Sequence, residues 1–147
     1  MNIQQDFEEL LKLLKKHKVQ YMVVGGYAVA FHGYPRFTKD IDIFFKNDDE
    51  NICILKSALI EFGFNPEDLP DAVFKTPGNI ITIGVEPVRV DILYEIDGVI
   101  FDDAWHNHVQ GKYGNTDVNF IGKDELIKNK TSTNRLQDKA DAKNLTE

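Results

Sequence analysis

Apolar residues follow two different spacings along the first half of the chain. Apolar positions three and four residues apart predict amphipathic helices over residues 6–18 and 48–62. Short apolar runs predict strands over residues 21–24 and 41–45, and the first of these runs ends at a glycine pair. A short helix is predicted between the two strands, over residues 27–32. The pattern of this half is therefore helix, strand, helix, strand, helix.

The second half of the chain alternates more quickly between apolar runs and turn residues. One β-hairpin is predicted around Glu86-Pro87 and a second around Gly114-Asn115, because apolar runs flank both turns. The four strands are predicted over residues 79–85, 88–94, 109–113 and 116–121. A short helix over residues 101–107 and two helices after Lys123 complete the pattern. This order predicts an α/β (α+β) fold with a mixed β-sheet flanked by helices.

Length and composition favour one globular domain over residues 1–147. The chain is 42% hydrophobic, which is enough to build a hydrophobic core, and we expect about residues 19–95 to form the central part of the domain. The hairpin and helices over about residues 100–147 complete the domain. The net charge of −7 argues against non-specific binding of nucleic acid or membranes. The single cysteine, Cys53, excludes an internal disulfide, and the absence of a leader-like or spanning segment predicts a cytoplasmic protein.

The tripeptide Asp40-Ile41-Asp42 is the most informative short segment. Alternate residues of a strand point to the same face, so both carboxylates face one side of the sheet. Two carboxylates this close repel each other, and a hard divalent cation such as Mg²⁺ relieves the repulsion. Asp91 interrupts another apolar strand, and three acids on adjacent strands predict a site for two metal ions. The alternative is that Asp40 and Asp42 form the solvated face of an edge strand.

The glycine pair Gly25-Gly26 is a candidate phosphate-binding turn. It follows a strand and precedes a short helix, where backbone N–H groups face an anion and glycine allows close approach. Arg36 and Thr38 lie just before Asp40 and are candidates to neutralise and hydrogen-bond a phosphate. The alternatives are a tight strand-to-helix turn for the glycines and a solvated loop for Arg36 and Thr38.

Together these residues resemble the nucleotidyltransferase superfamily related to DNA polymerase beta. Its pattern is an apolar strand, a Gly-Gly or Gly-Ser pair, Asp-apolar-Asp or Glu, and a lone acid on a later strand; residues 20–95 supply each part. The chain is most similar to small bacterial members, which include antibiotic nucleotidyltransferases and the toxin–antitoxin type. Gly26 departs from the many members that carry a serine there. The end of the chain resembles the helical tail of these members through Leu126-Ile127, Lys130, Arg135, Asp138 and Asp141.

The resemblance implies transfer of a nucleoside monophosphate from an NTP to an acceptor hydroxyl, with release of pyrophosphate. It implies that two Mg²⁺ ions are bound by the catalytic residues Asp40, Asp42 and Asp91. The implied nucleotide-binding residues are Gly25, Gly26, Arg36, Thr38 and Lys130. It also implies that Arg135 pairs with Asp138 or Asp141, whereas the alternative for this segment is a solvated charged helix.

The acceptor and the partners stay open at this stage. The acceptor implied by the resemblance is a small molecule, a protein side chain or an RNA end. Many small members complete their acceptor site with a second subunit, as in a homodimer, or with a separate helical partner protein. The competing hypotheses are a nucleotide-binding protein of toxin–antitoxin type that has lost catalysis, and a plain metal-binding or structural domain. The presence of all three acids favours the enzyme.

Overall fold

The computed structural model describes residues 5–34, 40–85 and 88–146. These contain seven α-helices, a 3₁₀ turn at Pro66–Asp68 and six β-strands. The helices are α1 (Gln5–Lys16), α2 (Gly25–Phe31), α3 (Asp49–Phe62), α4 (Asp71–Lys75), α5 (Phe101–Trp105), α6 (Lys123–Thr131) and α7 (Leu136–Thr146). The strands are β1 (Tyr21–Val24), β2 (Asp40–Phe45), β3 (Ile80–Val85), β4 (Val88–Leu93), β5 (Val109–Tyr113) and β6 (Thr116–Phe120).

The six strands form one mixed sheet in the order β3-β4-β2-β1-β6-β5. Strand β1 runs antiparallel to β2 and parallel to β6, and β2 runs parallel to β4. The two sequence-adjacent pairs β3–β4 and β5–β6 are antiparallel. The predicted hairpins and the predicted mixed sheet flanked by helices are therefore confirmed, while the turn residues Glu86-Pro87 lie outside the described residues.

Consecutive residues of β2 pack against helices on opposite faces of the sheet. The ring of Phe44 meets Phe101 of α5 edge-on, with centroids 5.1 Å apart. The next residue, Phe45, meets Phe74 of α4 at 6.2 Å. Because neighbouring strand residues point in opposite directions, α4 and α5 cover different faces. The two buried faces explain why the end of β2 is apolar without alternation.

The longer helices use the predicted apolar stripes. Helix α1 buries Phe7, Leu10, Leu11 and Leu14, which are spaced three and four residues apart. Helix α3 begins after Asp48, whose side chain accepts a hydrogen bond from the backbone N–H of Asn51. No described helix has the length and apolar character needed to cross a membrane.

Two helices differ from the predicted pattern. Helix α2 begins at Gly25 rather than at Tyr27, so the glycine pair forms its first two residues instead of a turn before it. Helix α4 was not predicted, because five residues are too few to show a helical period. Its single buried residue, Phe74, contributes one ring to the core.

Candidate active site

The parallel pairing of β2 with β4 brings the predicted acids together. In this register Asp42 lies opposite Asp91, and Asp40 lies opposite Arg89. Strand β2 has β4 on one side and β1 on the other, so it is an interior strand of the sheet. The solvated edge-strand alternative for Asp40-Ile41-Asp42 is therefore wrong.

Asp42 is the carboxylate most strongly affected by this crowding. Burial, the charges of Asp91 and Asp40 and a hydrogen bond with Asp91 raise its pKa from 3.8 to about 7. The positive charge of Lys130 acts in the opposite direction and lowers this pKa. In the metal-free protein Asp42 is therefore mostly protonated below about pH 7 and mostly ionised above it.

Asp91 is held by two neighbours that the sequence analysis did not single out. The Arg89 guanidinium donates from Nε to Oδ1 at 3.1 Å and from Nη2 to Oδ2 at 3.1 Å. Thr82, opposite Asp91 on β3, donates its hydroxyl to Oδ1 at 3.0 Å. Arg89 also approaches Asp40, with Nη1 3.8 Å from Oδ2. Two-residue spacing on one strand was the signal for Arg89, since positions 89 and 91 share a face.

Gly25 packs directly against the carboxylate of Asp42. Its φ angle is +70°, which L-residues rarely adopt, and a β-carbon at this position would overlap Oδ2 of Asp42. The predicted proximity of the glycine pair and the acid pair is thus present in the structure. A glycine is required here both by the backbone angle and by the available space.

We expect the substitution Gly25→Ala to destabilise the protein by about 2–5 kcal/mol, from backbone strain plus overlap with Asp42. The matched control is Gly33→Ala, because Gly33 also has a positive φ, +108°, but no heavy atom lies within 4 Å of its added β-carbon. This control should lose only about 1–2 kcal/mol. Urea unfolding of both variants measures the difference. Equal losses would show that Gly25 does not constrain Asp42.

Lys130 of α6 lies in a buried cluster of charges with α7. Its Nζ is 2.9 Å from Oδ1 of Asp138 and 3.3 Å from Oδ2 of Asp141, and the three side chains are 3–8% exposed. Burial opposes ionisation of Asp138, but hydrogen bonds from Lys130 and Thr133 lower its pKa below the usual value. Arg135 pairs with Asp138 at 3.7 Å, as the resemblance implied. Because Lys130, Asp138 and Asp141 are buried, the solvated-helix alternative is wrong for these three residues.

The donor set suits a divalent cation, although its present arrangement is not a formed metal centre. Asp40, Asp42 and Asp91 offer carboxylate oxygens, the ligands that Mg²⁺ prefers, and burial together with the charges of the other two acids raises the pKa of Asp42. Among the described residues, no three acidic, histidine or cysteine side chains surround a common point closely enough to hold a metal. The guanidinium of Arg89 lies against two of the three acids instead. Arg36 and Thr38 lie outside the described residues.

Three solved structures share this fold. A candidate nucleotidyltransferase from Thermotoga maritima matches with a TM-score of 0.60 and 16% identity, covering 99% of this chain and 93% of that chain. The lincosamide antibiotic adenylyltransferase LnuA, bound to lincomycin, matches with a TM-score of 0.57 and 20% identity, covering 100% and 99%. ANT(2″)-Ia, in complex with adenylyl-2″-tobramycin, matches with a TM-score of 0.51 and 13% identity, covering 82% and 70%.

The sequence itself gives the family. No curated protein sequence matches the chain. A family model does match, over residues 3–147, and its description is "Nucleotidyl transferase of unknown function (DUF2204)". The predicted enzyme class is thereby confirmed. With a match across nearly its whole length, the chain belongs to this family of nucleotidyl transferases.

Proposed function

We propose that the protein transfers a nucleoside monophosphate from an NTP to an acceptor hydroxyl and releases pyrophosphate. One observation carries this proposal: Asp40, Asp42 and Asp91 lie on one face of two paired strands, with Gly25 packed against Asp42. Family membership gives the reaction class, and the carboxylate cluster gives a place for it. We propose that Asp40, Asp42 and Asp91 are the catalytic residues.

Divalent ions are general cofactors of nucleotidyltransferases, and we assign their binding here to Asp40, Asp42 and Asp91. Two Mg²⁺ ions bound there would stabilise charge on the phosphates and acidify the acceptor hydroxyl. Asp91 would accept the hydroxyl proton as the oxygen attacks the α-phosphorus. The bond from the α-phosphorus to the bridging oxygen breaks, and pyrophosphate leaves.

We assign the triphosphate to the side of the carboxylates on which Gly25 lies. Gly25 brings its main chain close to Asp42 without a side chain between them, and we assign the backbone of Gly25 and Gly26 to binding the phosphates. Lys130 adds a positive charge close enough to Asp42 to affect its pKa. Arg36 and Thr38, which precede Asp40 in the sequence, are included as further phosphate-binding residues.

ATP is the first nucleotide to test, and a hydroxylated small molecule is the first acceptor to test. LnuA is an adenylyltransferase with bound lincomycin, and ANT(2″)-Ia is in complex with adenylyl-2″-tobramycin. Both carry the fold seen here over most of this chain. A protein side chain and an RNA end are the other acceptors in the proposal.

Thermal unfolding with Mg²⁺ and each NTP tests nucleotide use without knowledge of the acceptor. A nucleotide at one hundred times its Kd stabilises the folded state by about 2.7 kcal/mol, which raises the Tm by roughly 5–10 °C in a chain of this size. We expect that rise only when metal and nucleotide are present together. No rise with any NTP would contradict the proposal.

Transfer itself is measured with α-labelled ATP, the protein and a cell extract as a source of acceptors. Label should appear on an acceptor only with active protein and Mg²⁺. Stabilisation by nucleotide without label transfer to any acceptor would instead support the nucleotide-binding protein of toxin–antitoxin type that acts through a partner.

A further inference from the structure

Arg89 binds the same carboxylate oxygens that the proposed reaction assigns to metal. Its guanidinium donates to both oxygens of Asp91 and uses two of the roughly four acceptor positions of that carboxylate. Nη1 of the same side chain faces Oδ2 of Asp40 at 3.8 Å. One guanidinium therefore supplies positive charge to the acids of both strands.

The ion pair between Arg89 and Asp91 is exposed enough to solvent to dissociate. The side chain of Arg89 is 39% exposed, whereas that of Asp91 is 12% exposed, so the guanidinium has solvent on one side. An ion pair that is partly exposed is weakly held, because water compensates the separated charges. A hard divalent ion offers twice the charge in a smaller volume to the same oxygens.

Asp91 keeps a second hydrogen bond that does not involve Arg89. The hydroxyl of Thr82 donates to its Oδ1 at 3.0 Å from the neighbouring strand β3. This contact holds the carboxylate in place on the sheet after the guanidinium moves away. Thr82 thus orients Asp91, whereas Arg89 neutralises its charge.

Resting on the proposed function, we infer that Arg89 is an exchangeable counter-ion of the active-site carboxylates. Its guanidinium pairs with the carboxylates of Asp91 and Asp40 in the metal-free protein and is displaced when divalent ions bind. Arg89 therefore competes with metal, and its release is coupled to loading of the site. A permanent positioning role predicts the opposite, namely that metal binds more weakly when Arg89 is removed.

The sign of the change in metal affinity distinguishes these two roles. Mn²⁺, which takes the same oxygen ligands as Mg²⁺, is titrated calorimetrically into the full chain without nucleotide. A buffer at pH 8 lies above the pKa of Asp42, which is about 7. The variants are Arg89→Met, which removes charge and donors, and Arg89→Lys, which keeps the charge but not the fork of donors.

We expect Arg89→Met to bind Mn²⁺ about three- to tenfold more tightly than the wild type, with Arg89→Lys in between. The matched control is Lys56→Met, which removes the positive charge of the Lys56–Asp71 ion pair between α3 and α4 and should leave the affinity unchanged. Binding that is detected only in the Arg89 variants also supports the exchange. If Arg89→Met does not fold, the direction shown by Arg89→Lys decides.

Two results would contradict the exchange of Arg89 for metal, and only one of them also contradicts the metal site itself. Weaker or equal Mn²⁺ binding by the Arg89 variants, with clear binding by the wild type, rejects the exchange and leaves the carboxylate site intact. Absence of Mn²⁺ binding in the wild type and in every variant rejects both the exchange and the metal site. An Asp42→Asn variant identifies binding at the carboxylates, because its loss of affinity locates the ion there.

Discussion

The substitution Asp42→Asn is expected to abolish nucleotide transfer and to make the metal-free protein more stable above pH 7. Activity should fall by about a thousandfold or more, because the substitution removes a carboxylate that the proposal places at both metal positions. Stability should rise because Asn carries no charge into a buried site beside Asp91 and Asp40. A loss of function with a gain of stability is typical of active-site residues that oppose folding.

The gain should depend on pH in a defined direction. In the folded protein the pKa of Asp42 is raised to about 7, mainly by burial, whereas an unfolded Asp has a pKa of about 3.9. The folded state therefore binds this proton more tightly, and the resulting stability is lost as the pH rises from 4 through 7. At pH 4 the variant and the wild type should differ little. At pH 8 the variant should be more stable by roughly 2–4 kcal/mol.

Urea unfolding at several pH values measures this difference, and label transfer from ATP measures the activity. Asp103→Asn is the matched control, since Asp103 is an exposed carboxylate of α5 and the chemical change is identical. That control should keep both activity and the pH dependence of the wild type. Full transfer activity in Asp42→Asn would remove Asp42 from the catalytic assignment, and a pH-independent stability difference would contradict the raised pKa.

The substitution Lys130→Met is expected to be strongly destabilising, by about 3–5 kcal/mol at pH 7. Two buried carboxylates, Asp138 and Asp141, would lose the ammonium group that lies 2.9 and 3.3 Å from their oxygens. Lys130 lowers the pKa of Asp138 in the wild type, so this part of its stabilisation should be present above about pH 4 and should be lost as the pH falls further. In the same variant the pKa of Asp42 should rise further, since Lys130 lowers it in the wild type.

Lys128→Met is the control for this prediction, because Lys128 is an exposed lysine of the same helix. It should change the free energy of unfolding by less than about 0.5 kcal/mol. Addition of Asp138→Asn and Asp141→Asn to Lys130→Met should restore most of the lost stability. A Lys130→Met variant as stable as Lys128→Met would show that the cluster contributes nothing net to folding.

The local parts of the fold could be predicted from the sequence. Helices α1 and α3 show apolar stripes with a helical period, and the two hairpins have turn residues between apolar runs. The common face of Asp40 and Asp42 follows from their two-residue spacing on a strand, and Asp91 stands out because it interrupts an apolar run. Each of these signals lies within about fifteen residues.

The parts that could not be predicted depend on pairing between distant segments. Nothing local to β2 or β4 specifies that they run side by side in the register that places Asp42 next to Asp91. Thr82 becomes a partner of Asp91 only through the register of the β3–β4 hairpin. The Lys130 cluster likewise needs the docking of α7 on α6, which a charged helix pattern does not reveal.

The pairing of β2 with β4 also makes the spacing of two carboxylates insensitive to changes in the connecting loops. Adjacent strands are held about 4.8 Å apart by main-chain hydrogen bonds, whatever side chains they carry. The spacing of Asp42 and Asp91 is therefore set by the main-chain hydrogen bonds between β2 and β4 and does not depend on the connecting loops. Changes in the length or composition of loops at the rim of the sheet should therefore leave the spacing of these two proposed catalytic carboxylates unchanged.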